Sequence, residues 1–152
     1  MSISESRDYF EGVSTAVAAL EAARGRLETM RRREGVRAQT YGGIRSGGTH
    51  DPMAATDARM DAEGFLTSEV ARCESVIRDG YAVLDELGRA NTKHHEWPLL
   101  LELKYFQRLP WDAVAASMGM SRSSAYAYAR AAMDWMDAHG LVNGSENYAK
   151  AV

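Results

Sequence analysis

At 152 residues and 16.7 kDa the chain is too short for a large catalytic α/β enzyme and long enough for one or two small domains. Its 45% apolar and 26% charged residues exclude wholesale disorder and collagen-like or mucin-like composition. A net charge of −3 and a pI near 5.8 exclude a polycationic nucleic-acid coat, while leaving a local contact surface open.

The first element is a long amphipathic helix, expected from Ser4 or Ser6 to about Ala38. Phe10, Val13, Val17, Leu20 and Leu27 follow the alternating three-and-four spacing of a heptad seam, with Arg24 as its polar interruption. The cluster Arg31, Arg32, Arg33 and Arg37 near its end suits the negative pole of the helix. A Gly-rich connector at about 39–51 follows, because TYGGIRSGGTHDP cannot hold a helix. Asp51 as N-cap and Pro52 as first helical residue open a second long helix ending near Gly88. Its seam is Met60, Glu63, Leu66, Val70, Cys73, Ile77, Leu84 and Leu87, with Gly80 a small break.

The two helices are expected to fold back as an antiparallel, coiled-coil-like hairpin over 1–91. Charge favours the pairing. Residues 1–50 carry eight Arg and six Asp/Glu (8 − 6 = +2), and residues 51–91 carry four Arg and nine Asp/Glu (4 − 9 = −5).

A second domain is expected over 92–140. A third helix from about His95 to Phe106 places Leu99, Leu100, Leu103 and Phe106 on one face. After a break at QRLP, Trp111–Ser117 forms a short helix, Gly119 the turn, and Ser121 the cap of a last helix from Arg122 to about His139. Gly140 ends it, and 141–152 is expected to be a flexible tail. The predicted fold class is thus all-α: a long antiparallel helical hairpin followed by a small three-helix unit with a helix-turn-helix.

WDAVAASMGMSRSSAYAYARAAM has the parts of a helix-turn-helix, with Val114, Met118, Ala125, Ala129 and Met133 as shared core. That arrangement turns Arg122, Ser123, Ser124, Tyr126 and Arg130 outward. Arg122 suits a guanine edge or a phosphate, and the serine hydroxyls suit base edges or backbone oxygens. With Arg108 and Ser121 these residues form the candidate DNA-binding set.

The stretch LLLELKYFQRLPWDAVAASMGMSRSSAYAYARAAMDWM resembles region 4 of bacterial sigma factors. It is more closely similar to the sigma-region-4-like part of short phage proteins, the ArpU and RinA type late transcriptional regulators and related phage proteins of unknown function. Leu101, Tyr105, Trp111, Val114, Ala115, Gly119 and Ser121 carry the motif, and SGGTHDP at 46–52 matches the loop entering the second helix. The resemblance implies a phage or prophage DNA-binding transcriptional regulator acting noncovalently on double-stranded DNA. RNA polymerase is a further implied contact, and the hairpin an implied site of homo-oligomerisation. Tyr126 and Tyr128 stand where sigma-like recognition helices carry Lys or Arg, and residues 92–152 balance six Lys/Arg against six Asp/Glu (6 − 6 = 0). An isolated monomer is therefore expected to bind DNA weakly. The alternative is a non-enzymatic assembly or protein-interaction role, or a small DNA-packaging subunit with a degenerate helix-turn-helix.

The remaining features read as structural. His50, His94, His95 and His139 lack metal-ligand spacing, so no metal is expected. Cys73 falls on a seam as a small hydrophobe, and its solitude excludes a disulfide framework and suits a reducing, cytoplasmic setting. Asp57, Asp61, Glu63, Asp134 and Asp137 read as solvated helix charges. Neither a Walker loop nor a nucleophile elbow occurs, so neither catalysis nor a cofactor is expected. Trp97 and Trp111 read as core rings, whereas Trp135 fits either core or partner contact. No apolar run approaches the roughly 20 residues that span a bilayer, and MSISESRDYFEG has no signal core, so no membrane association is expected.

Overall fold

The computed structural model describes the backbone of residues 4–40 and 52–142 and the side chains of 4–35 and 58–142. The Gly-rich connector, the Asp51 cap, His50, the Arg37 side chain and the tail beyond 142 lie outside the described residues. Five α-helices follow in order: α1 (Glu5–Thr40), α2 (Pro52–Ala90), α3 (Glu96–Leu101), α4 (Trp111–Met118) and α5 (Arg122–His139). A 3-10 turn at Thr92–His94 precedes α3, and a π turn at Glu102–Phe106 extends it. Among the described residues there is no strand, so the chain is all-α. None of the described helices is long and apolar enough to cross a membrane.

The chain divides into two compact units. Of the described residues, one takes α1 to Val17 together with 75–142, and the other takes those between 18 and 74. The boundary expected between 91 and 92 is displaced, because the first turns of α1 and the last turns of α2 share a core with α3–α5.

In the 18–74 unit the two helical stretches run antiparallel, with Arg24 hydrogen-bonded to Glu74 at 2.7 Å and Arg59 ion-paired with Glu34 at 2.8 Å. Ala23, Leu27 and Leu66 are buried together, with Met30 and Val70 packed on them. The α1 seam passes through Ala23 rather than Arg24. A methyl group lets the helices approach, and the exposed guanidinium is freed to pair with Glu74. Met60, expected in the α2 seam, is 60% exposed, and Phe65 is 68% exposed.

The other unit holds the large side chains. Phe10, Val13, Leu87, Leu100, Leu101, Val114 and Met136 are fully buried. Phe10 lies 5.8 Å from the Tyr105 ring and 6.3 Å from Phe106, whose other neighbour is Tyr81 at 4.4 Å. Gly80 allows this: a Cβ there would stand 2.8 Å from the Phe106 ring tip and 3.1 Å from Val13. The α2 seam uses Val76 and Val83 beside Leu84 and Leu87, with Ile77 half-buried.

The third helix differs from its expected face. Gln107 donates its N–H to the Glu102 carbonyl five residues back, and Leu109 donates to Leu103. The widened turn brings Phe106 inward with Trp97, Leu100 and Leu101, leaving Leu99 exposed and Leu103 half-buried. Arg108 then takes φ 55°, a left-handed conformation uncommon outside glycine, before Pro110 starts α4.

Candidate nucleic-acid interface

α4 and α5 pack together across a three-residue turn. Gly119 is left-handed at φ 67°, and the closing bonds run from its own N–H to Ala116 and from Met120 N–H to Ala115. Val114, Ala115, Ala125, Ala129 and Met133 are buried as expected for a helix-turn-helix core, Met118 is half-buried, and Ala132 and Met136 extend it.

Ser121 caps α5 by accepting the Ser124 N–H at 3.1 Å, and its own hydroxyl donates to the Ser124 hydroxyl at 2.9 Å. Ser124, expected to point outward, is therefore half-buried and spent on the cap. Ser121 and Ser123 are exposed. The Arg122 side chain is 68% exposed, with its Nε 3.9 Å from Asp112. Tyr126 is 45% exposed and stands edge-on to Trp111 at 5.4 Å.

Arg108, Tyr126 and Arg130 come together along a cleft of about 1070 Å³ that Arg122 and the three serines do not line. Its other walls bring in residues absent from the expected set: Arg7, Asp8 and Glu11 of α1, and Lys104, Tyr105 and Trp111. Trp111 is half-buried rather than core, with the Lys104 ammonium 4.7 Å above its ring. Lys104 also donates to the Leu109 carbonyl at 3.3 Å. Burial first, and then the Arg122 charge, pushes this ammonium below the ordinary lysine range. Burial pushes the Tyr105 phenol up, Arg7 opposes that, and Glu11 and Tyr126 add to it.

Asp137, read from sequence as a solvated charge, has a structural task. Its carboxylate accepts the Ser4 hydroxyl at 2.6 Å and the Ser6 backbone N–H at 2.9 Å, so it caps α1 from the last turn of α5. A carboxylate at the negative end of its own helix is unfavourable there, and that misplacement was the one available signal. Burial pushes this carboxyl up, but the hydrogen bonds from Ser4 and Ser6 prevail and hold it below the usual value.

Further along α5, Trp135 is half-buried, 6.3 Å from Trp97 and stacked on His139 at 4.0 Å. His94 stacks on Trp97 at 4.2 Å. Among the described residues no group of three or more His, Cys, Asp or Glu could hold a metal ion.

No family model matches the chain, and neither a curated protein nor a solved structure does so.

Proposed function

We propose that the chain is a DNA-binding transcriptional regulator of phage or prophage type, which inserts the start of α5 into the major groove of a duplex. The observation that carries this reading is the capped, exposed cationic opening of α5, where Arg122 and Ser123 stand clear of a tightly closed turn. Lys104 and Arg108 lie on the adjoining segment, and the positive pole of an 18-residue helix adds to the same field. Arg122 would read a guanine edge or hold a phosphate, and Ser123 would reach a backbone oxygen. RNA polymerase contact and self-association through the hairpin belong to the same proposal.

The test is selection from a random duplex pool, followed by binding titrations at several salt concentrations. Binding should weaken steeply with salt, and Arg122→Ala should lose more of it than Arg33→Ala. Equal losses would remove the assigned reading residues. A protein-assembly or DNA-packaging role is the second reading, favoured by the exposed rings of Tyr126 and Tyr128 on a helix with few cations. Under it, Tyr128→Ser would abolish partner capture and leave duplex retention unchanged.

A further inference from the structure

We propose that the first turns of α1 are a built-in competitor of the duplex, with Asp8 and Glu11 held where a phosphate strand must pass beside α5. The inference rests on the helix-turn-helix reading of α4 and α5 and adds a regulatory element to it.

A helix with its side chains is about 10–12 Å across and a major groove about 12 Å wide, so a recognition helix fills its groove and phosphate strands flank it on both sides. Tyr126, Arg130, Met133 and Asp134 follow i, i+4, i+7 and i+8 along one face of α5, and all four line the cleft. The opposite wall is α1, through Ser4, Arg7, Asp8 and Glu11. A phosphate strand drawn toward Arg108 and Arg130 would meet Asp8, Glu11 and Asp134 in the same space. Arg7 lies 3.4 Å from Glu11 and offsets its charge, so the α1 wall keeps a net negative charge through Asp8. The opening turn of α5, with Arg122 and Ser123, stands outside this enclosure, as does the exposed face at Ala127, Tyr128 and Ala131.

The Asp137 clasp keeps the competitor in place. It joins the first turn of α1 to the last turn of α5 through Ser4 and Ser6, while Phe10 and Val13 anchor the next turn in the core. Full engagement of α5 thus requires the acidic turns to be neutralised or the first turn to be released. Apparent affinity is reduced by the fraction of molecules in which the flank is closed.

The experiment uses the full chain and a random-sequence duplex in low salt, read by fluorescence anisotropy. The samples are wild type, the double variant Asp8→Asn with Glu11→Gln, Asp137→Ala, and Arg122→Ala added to the double variant. The double variant should bind about tenfold tighter than wild type, and Arg122→Ala should abolish that gain. Asp137→Ala should also tighten binding, and hydrogen exchange should quicken at residues 5–8 while 125–132 stay protected. Both Asp8 and Glu11 are exposed, so the double variant keeps the test open should Asp137→Ala fail to fold. Wild-type binding that neither variant improves, or that Asp137→Ala weakens, overturns the competitor and leaves DNA binding standing. Absence of binding in every sample, with all of them folded, overturns both.

Discussion

The two units are built from the same pair of long helices, yet they are held differently. In the 18–74 unit the seam is narrow, a line of Leu and Ala flanked by the exposed Arg24–Glu74 pair and the half-buried Glu34–Arg59 pair. In the unit that contains α3–α5, aromatic rings from α1, α2 and the π turn interlock around Gly80. Side-chain volume, not helix length, thus separates them. A two-helix seam can bury only one stripe per helix, whereas a helix packed among several others buries rings on two sides.

The largest test of that contrast is truncation of the rings. Phe10→Ala should cost about 3–5 kcal/mol in denaturant unfolding, against about 2 kcal/mol for Leu27→Ala, whose neighbours can collapse onto it. Equal costs would erase the distinction. Gly80→Ala should destabilise by about 1–2 kcal/mol, because overpacking against Phe106 outweighs the roughly 1 kcal/mol gained in helix propensity. In the narrow unit the sign should reverse. Gly25 and Gly64 have nothing within 4 Å of an added Cβ, so Gly25→Ala and Gly64→Ala should each stabilise by about 0.5–1 kcal/mol in thermal melts.

Asp137→Ala should cost about 1 kcal/mol, the ordinary worth of a helix cap. Because the folded carboxyl sits below its unfolded value, this contribution is complete above the unfolded carboxyl pKa of about 3.9 and disappears as pH falls through the lower folded value. The difference between wild type and Asp137→Ala should therefore be constant near neutrality and vanish in acid. A difference that persists below that range would show that the clasp does not depend on the ionised carboxylate. The smallest effect belongs to Arg24→Ala, at about 0–1 kcal/mol and reduced by salt, since both partners of that pair are largely exposed.

The helices were legible because their punctuation is local: Ser121 and Gly119 define the turn before α5, and Pro52 opens α2. The seams were legible to within one position. Spacing favoured Val17 and Arg24, while packing chose Ala16 and Ala23, because small residues bring two helices closer than branched ones do. The π turn was not legible, since LELKYF carries no composition that distinguishes a five-residue backbone step from a four-residue one. The same holds for the α1 wall of the cleft. Asp8 and Glu11 lie in the first two turns of α1 with nothing local to mark them, and the α5 residues that share the cleft lie more than a hundred residues away in sequence.

The extra backbone step at Glu102–Phe106 gives the molecule an adjustable dial. Removing one residue there should let an ordinary α-helix close, turning the chain beyond Phe106 by about 100° about the α3 axis. Lys104 would swing off its indole and Arg108 would leave its left-handed corner, while Trp97 and Leu100 stayed seated. Single-residue length changes at this one site should therefore re-aim the cationic edge while leaving the preceding core intact.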